Sequence, residues 1–370
     1  MIMTKALQAA RGEYSGLGDG GRGAGACSYL PLPVKRWPAG VAAAFMLFGA
    51  ALAPVSAAEG GPIDVVLANP SITISLAASY LAEDLGLFKN NGLNVKVLVI
   101  PGVGATNAVI SGSADFVEAS STSITRAAAH GQRLLVIAET SDRPSVQIAL
   151  RKDIADAGGF APTLPLEKRV ALLRSHVIAV DGTGSLVDGY LLLMLKRAGI
   201  DANSIEVPTM QPVNMLAAFA ARQIDGFAMP PPWPLVPVMQ GNAVLVASGP
   251  NGDPSDLSPF ANSVIATRPA TCRERRFLCV AFGHSFVEAE AYLHDHPGQS
   301  LAILKKRFAT LDDRTLTAAF DAIRAISPNP PVPSQKGMEN AEHLNIEAGL
   351  MKPSEKLASY DGLVTAEFVQ

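Results

Sequence analysis

The sequence predicts an α/β fold, because short apolar runs alternate with helical segments along most of the chain. Alternation at this spacing is typical of parallel α/β topology. A second observation is an internal echo: residues 108–116 can be laid over residues 218–226. In each copy a helix of small residues ends, an aspartate follows and a buried strand begins. Two similar α/β units about 110 residues apart indicate two lobes.

The composition excludes several other classes of protein. Of the 370 residues, 48% are apolar and only 17% are charged, which excludes a disordered chain. The 30 basic and 33 acidic side chains give no basic excess, so no nucleic-acid partner is expected. Three cysteines are too few for a disulfide framework or a dense metal site. No cofactor and no metal is therefore predicted.

Residues 1–57 are predicted to be an N-terminal extension followed by a signal peptide. A basic pair at residues 35–36 precedes an apolar stretch over residues 39–53, and small residues follow at 55–57. This order is that of a secretory signal, cleaved after the last of these small residues. The alternative, a membrane anchor, needs about 20 apolar residues, more than this stretch contains. We expect export to the periplasm, and translation that begins near Val34.

The first lobe is expected over residues 63–145 together with 255–370. It starts with a buried apolar run, which Asn69-Pro70-Ser71 breaks before a helix up to Gly86. Apolar runs predict its strands at residues 63–68, 95–100, 116–119, 134–138 and 263–266. After Pro269 the pattern is helical, with helices expected near residues 272–294, 297–308 and 312–325.

The second lobe is expected over residues 146–254, after a Gly- and Pro-rich linker at 156–166. Periodicity predicts strands at residues 177–180, 205–207, 226–229 and 244–247, with helices at 186–198 and 215–222.

Polar turns at strand ends are the candidate binding positions, because ligands of open α/β sheets gather beyond the carboxyl ends of the strands. Helix starts there offer N–H groups and the positive end of the macrodipole to an anion. The alternative is that each Ser or Thr only caps its own helix. The predicted ligand-binding residues are Asn69, Ser71, Thr73, Ser120, Ser121, Thr122, Thr183, Gly184, Ser185, Asn214, Pro231 and Trp233.

The turn at residues 181–185 is the strongest candidate, since its glycines let a ligand approach the backbone. It lacks the Gly-Lys-Ser/Thr ending of a phosphate-binding P-loop. Residues 102–107 nearly match a dinucleotide fingerprint, but asparagine replaces the third glycine, which favours a simple tight turn. Trp233 follows three prolines, so it either closes over a ligand or covers the core.

Catalytic signals are weak in this sequence. It contains neither a nucleophile elbow nor a zinc-protease helix motif, and His294 and His296 fit a helix C-terminus. Cys272 and Cys279 would be about 10 Å apart within one continuous helix, beyond disulfide reach. A bridge becomes possible if Cys272 lies in the preceding turn. The expected continuous helix favours no bridge.

Several motifs in order resemble one known family. They are residues 81–88 (LAEDLGLF), 110–116 (ISGSADF), 181–185 (DGTGS), 195–201 (LKRAGID), 223–232 (QIDGFAMPPP) and 296–300 (HPGQS). Over roughly residues 63–350 the chain resembles the nitrate, sulfonate and taurine family of periplasmic solute-binding proteins, which includes binders of thiamine pyrimidine precursors. The triple proline before Trp233 departs from the family pattern of an acidic residue near a single proline.

The resemblance implies a type II periplasmic binding-protein fold: two α/β lobes, a hinge, and a small-molecule ligand in the interlobe cleft. It also implies an inner-membrane ABC permease as partner, no catalysis, and a monomer. We expect capture of a small polar or anionic organic solute, such as a sulfonate, nitrate, carboxylate or heterocycle, by neutral donors without an arginine. The alternatives are a periplasmic enzyme or a sensory binding protein on the same lobes.

Overall fold

The computed structural model describes residues 61–370, so the predicted signal segment lies outside the described residues. The strands are β1 (Ile63–Asn69), β2 (Leu93–Val99), β3 (Phe116–Ala119), β4 (Leu135–Ser141), β5 (Gln147–Arg151), β6 (Ile178–Ala179), β7 (Gly226–Met229), β8 (Ala243–Ser248) and β9 (Ser263–Thr267). They form a first sheet in the order β2-β1-β3-β9-β4 and a second in the order β6-β7-β5-β8.

Helices surround both sheets. They are α1 (Ala77–Asp84), α2 (Leu87–Asn90), α3 (Gly104–Ser111), α4 (Ser121–Ala129), α5 (Lys152–Ala157), α6 (Leu166–Val170), α7 (Leu186–Arg197), α8 (Pro212–Ala220), α9 (Leu235–Met239), α10 (Pro269–Glu274), α11 (Arg276–Asp295), α12 (Pro297–Arg307), α13 (Asp313–Arg324) and α14 (Gln335–Glu347). Within the described part of the chain, no helix has the length and apolar character needed to cross a membrane.

The strand directions differ from an all-parallel expectation. Strand β1 is parallel to β2 and β3, and β6 is parallel to β7, but β9 and β5 run antiparallel to both of their neighbours. The strand expected at residues 205–207 is reduced to an isolated bridge between Glu206 and Val177, and a second bridge pairs Thr209 with Val180. Pro208, which follows it, has no N–H to donate to a ladder. Strand β5 was absent from the sequence-based assignment.

Two neighbouring connections join the sheets. The chain leaves the first sheet after Ser141, at the end of β4, and returns to it at Ser263, the start of β9. The β4–β5 and β8–β9 connections are hydrogen-bonded to each other. The Asn262 N–H donates to the Ser141 carbonyl (2.9 Å), and the Gly249 N–H donates to the Val146 carbonyl (2.8 Å). A Cβ atom on Gly249 would lie 2.2 Å from a carbonyl oxygen of the facing connection, so this close approach requires glycine. The lobe boundaries at 145/146 and 254/255 stay a prediction.

The core formed by residues 61–370 contains three apolar clusters. One joins the first sheet to α1 and α11, where the rings of Phe116 and Phe282 stack at 4.0 Å. The second surrounds the second sheet and contains the buried Tyr190 and Phe227. The third packs α3 and α4 on the first sheet through small residues. Because these clusters fill the sheet faces, the strand ends are the places left for polar side chains.

The expectation that Cys272 and Cys279 are not bridged is wrong. Helix α10 ends at Glu274, and Arg275 leaves helical geometry (φ −128°, ψ 55°) before α11 begins. This break brings the two Cα atoms to 5.5 Å, and the cysteines form a disulfide. The predicted single helix over residues 272–294 is therefore two helices.

Candidate functional site

A cavity of about 90 Å³ lies between the two sheets, beyond the carboxyl ends of β1, β3, β6 and β7. Pro70 and Ser120 follow strands of the first sheet, and Asp181 and Pro230 follow strands of the second. A buried water needs about 10–15 Å³ of such volume, so the cavity has room for several waters or one small solute.

Hydroxyl groups form much of the polar wall. Ser71, Thr73, Ser120, Thr122 and Ser185, all predicted from the sequence, line the cavity. Ser75 lines it as well and is only 7% exposed. Its Oγ has no hydrogen-bond partner among residues 61–370. A buried hydroxyl in that state can bond to a ligand without breaking a contact within the protein.

Two helices begin at the cavity, one from each sheet. Ser120 caps α4 by accepting from the Thr122 N–H (3.2 Å), and Ser185 caps α7 by accepting from the Asp188 N–H (3.1 Å). Both serines therefore cap their own helices, as the alternative expectation stated, and both also line the cavity. The positive ends of the two helix macrodipoles therefore lie at the cavity, an arrangement that favours an anion.

Arg126 brings a positive charge to the same wall. It lies on α4, and its Nη2 donates to the Gly184 carbonyl (2.5 Å), which belongs to the turn after β6. Burial lowers the pKa of Arg126, and the charge of Asp188 opposes that effect. An arginine at the site is contrary to the expectation of neutral donors alone, yet Thr122 and Arg126 are four residues apart on one helix and share a face. That spacing was the available signal.

Two acidic side chains also line the cavity. Glu118 is fully buried at the end of β3, and Asp181 accepts a hydrogen bond from the Ser185 hydroxyl (2.6 Å). Burial raises the pKa of both carboxyls, and the hydroxyl donors that bond to them oppose the rise. Sequence reasoning missed Glu118 because it sits within a short buried strand.

The other predicted residues lie outside the cavity wall. Asn69 and Ser121 are buried beside it, Thr183 and Asn214 are exposed, and Gly184 touches Arg126 through its carbonyl. Pro231 is buried next to Pro230, and Trp233 packs against the core of the second sheet. Ser145 and Asn262 line the cavity from the two connections, and Ser263 lines it from the start of β9; only the topology could have placed them there.

No metal centre is apparent in the described part of the chain: residues 61–370 contain no group of three or more His, Cys, Asp or Glu side chains arranged to hold an ion.

Comparison with known proteins identifies the family. Residues 73–300 match the sequence profile of the family described as NMT1/THI5 like. A protein of Escherichia coli (strain K12) named for aliphatic-sulfonate binding is 26% identical over 180 residues. That match covers 49% of this chain, and the chain spans about half (51%) of that protein's length.

Solved structures share the fold. The alkanesulfonate-binding protein SsuA of Xanthomonas axonopodis pv. citri, bound to MOPS, superposes with a TM-score of 0.64 at 20% identity, over 83% of this chain and 99% of that one. The periplasmic nitrate-binding protein NrtA of Synechocystis PCC 6803 gives a TM-score of 0.64 at 15% identity, over 83% and 87%. The predicted two-lobed α/β fold and family resemblance are confirmed. Since the profile matches more than half of the chain, this protein belongs to the NMT1/THI5-like family.

Proposed function

We propose that this protein is the periplasmic substrate-binding component of an ABC importer and captures a small polar or anionic organic solute by lobe closure. The observation that carries the proposal is the cavity between the two sheets, where Arg126 and the starts of α4 and α7 meet. Positive helix ends and a guanidinium together favour a sulfonate, a carboxylate or nitrate. Relatives named for sulfonate and nitrate binding support the same class.

The proposed setting follows from the same family. The proposed partner is an inner-membrane ABC permease. The protein is proposed to reach the periplasm through the segment before residue 58 and to act there as a monomer. Hinge closure around the solute would present the loaded form to the permease.

Binding is favoured over catalysis by the chemistry of the wall. Within the described residues, the cavity lining includes neither histidine nor cysteine, the usual general bases and nucleophiles. The polar part of the wall consists of hydroxyls, the Asn262 amide, one guanidinium and two carboxyls, which suit recognition of a polar group, and apolar side chains form the rest of the wall.

A thermal-shift screen tests the proposal. The purified protein is heated with alkanesulfonates, nitrate, aromatic carboxylates and pyrimidines in turn, and at least one class should raise the melting temperature in a concentration-dependent way. A ligand at a hundred times its Kd stabilises by about 2.7 kcal/mol. A screen in which no compound shifts the transition would contradict the proposal.

A pair of variants links any hit to the cavity. Ser75→Ala should lower the affinity for that compound about five- to tenfold, which corresponds to the loss of one hydrogen bond. The stability of the ligand-free protein should not change. Thr271→Val is the matched control, because the buried Thr271 hydroxyl on α10 also lacks a partner within residues 61–370 but lies away from the cavity. Equal affinity in both variants would place the solute elsewhere.

A further inference from the structure

Glu118 forms a buried acidic point in the cavity wall. It is the third residue of β3, only two residues before the Ser120 cap of α4, and its exposure is 0%. Its two carboxyl oxygens accept hydrogen bonds from three hydroxyls on three different elements. The donors are Ser79 of α1, Thr140 of β4 (2.8 Å) and Ser263 of β9 (3.2 Å).

The charged and titratable groups around Glu118 do not neutralise it. Glu290 of α11 and Tyr80 of α1 lie close enough that the charge of Glu118 adds to burial in raising their pKa values. Strands β4 and β9 present neutral hydroxyls. Across the cavity, Asp181 is acidic, and Arg126 is already engaged by the Gly184 carbonyl and the charge of Asp188.

An anion at the start of α4 would share the cavity with an ionised Glu118, which also lines it. Two like charges in a dry cavity repel each other strongly, and protonation of the carboxyl removes that repulsion. Burial already raises the pKa of Glu118 in the direction that favours the neutral acid. The site can therefore accept an anion at the cost of one proton taken from solvent.

We propose that the cavity captures an anionic solute together with one proton, which resides on the Glu118 carboxyl. This inference rests on the proposed function. The neutral Glu118 becomes a donor, and Ser263 can accept that hydrogen bond because a hydroxyl both donates and accepts. Ser263 lines the cavity, so its own proton can then turn toward the solute. Glu118 thus makes anion affinity depend on proton supply.

The first experiment measures the affinity of methanesulfonate and nitrate by calorimetry between about pH 5 and 8, where both probes stay ionised. For the wild type, Kd should rise with pH, by up to about tenfold per unit once the free cleft's carboxyl ionises. Glu118→Gln, which mimics the neutral acid, should keep the low-pH affinity and lose most of the pH dependence. Wild-type affinity that is constant across this range would overturn the inference and leave the proposed function intact.

The outcomes separate the two proposals. Absence of methanesulfonate and nitrate binding at every pH would overturn both the inference and the anion-binding function. Binding that Glu118→Gln weakens more than tenfold at pH 5 would show that the carboxylate itself contacts the solute, again against the inference.

Two further measurements identify Glu118 as the group that takes up the proton. Calorimetry of the wild type in buffers of different ionisation enthalpy should give an uptake near one proton per anion at neutral pH, and zero uptake would contradict the inference even if the variant folds poorly. Without ligand, stability from a carboxyl with a raised folded-state pKa is present below its unfolded value near 4.3 and is lost as pH rises. The melting temperature of Glu118→Gln, relative to that of the wild type, should therefore increase from pH 5 to pH 8.

Discussion

Glu290 is a polar side chain in an apolar place. It lies on α11 with 0% exposure, and both of its carboxyl oxygens lack hydrogen-bond partners among residues 61–370. Burial, and then the charge of Glu118, raises its pKa well above the ordinary value. A raised pKa favours the neutral acid in the folded protein, whereas the carboxyl of the unfolded chain ionises more readily, and this difference favours the unfolded state as pH rises.

Replacing Glu290 with methionine should stabilise the protein. The substitution removes an unsatisfied buried group and keeps an unbranched side chain of similar volume, for a gain of about 1–3 kcal/mol at pH 7. The gain should shrink as the pH falls toward 4, where both states hold the proton. Urea denaturation at several pH values measures it. Glu288→Met is the control, because Glu288 on the same helix is partly exposed and bonds to Asn91 (2.9 Å); an equal gain there would contradict the explanation.

At this scale the sequence predicted the residues that act locally. Ser120 and Ser185 could be found because a cap depends on its own turn. Glu118 and Arg126 act through contacts with other elements, so local patterns give only indirect signals for them, such as the four-residue spacing of Thr122 and Arg126. The glutamate within the run Phe116–Ala119 was nevertheless a usable signal of a functional or hydrogen-bonded position, because charged side chains are rarely fully buried without a partner.

Among the elements, the junction of α10 and α11 is where sequence reasoning failed. Residues 273–278 contain neither glycine nor proline, so nothing local marks the break at Arg275. The disulfide between Cys272 and Cys279 closes a short loop across that break. Strand β5 was missed for a related reason, because its central place in the second sheet depends on pairing with β7 and β8.

Loss of this disulfide should destabilise the protein modestly. A closed loop of this length constrains the unfolded chain by about 2–3 kcal/mol, so the double variant Cys272→Ser/Cys279→Ser should unfold at lower urea. Reductant should lower the urea midpoint of the wild type to that of the variant and should leave the midpoint of the variant unchanged. Identical midpoints for oxidised wild type and variant would show that the bridge adds no stability.

At the scale of the whole molecule, several contacts span the two sheets. Helix α14 packs on α4 through Met338 and reaches the second-sheet core through Leu344. The connections between the sheets lie side by side, with the Ser145 N–H donating to Asn262 Oδ1 (2.9 Å) at the cavity. The two lobes could be predicted from repeated α/β units, but the antiparallel β5 and β9 that join them could not, because strand direction depends on where the chain crosses.

Arg126 is the side chain that we expect to hold the two halves together around the cavity. Helix α4 packs on the first sheet, whereas the Gly184 carbonyl that accepts from Arg126 belongs to the second. Arg126→Met should remove both this bond and the positive charge, so the affinity for an anionic solute should fall about 10- to 100-fold, as expected for a hydrogen bond to a charged group. The ligand-free variant should also show a larger radius of gyration by small-angle X-ray scattering. Arg126→Lys, which keeps the charge but loses the planar fork, should recover part of the affinity.

Arg133→Met serves as the control, since the exposed Arg133 donates to the carbonyls of Ser359 and Asp361. If Arg126→Met leaves both affinity and radius at the wild-type values, the guanidinium neither binds the solute nor closes the cleft.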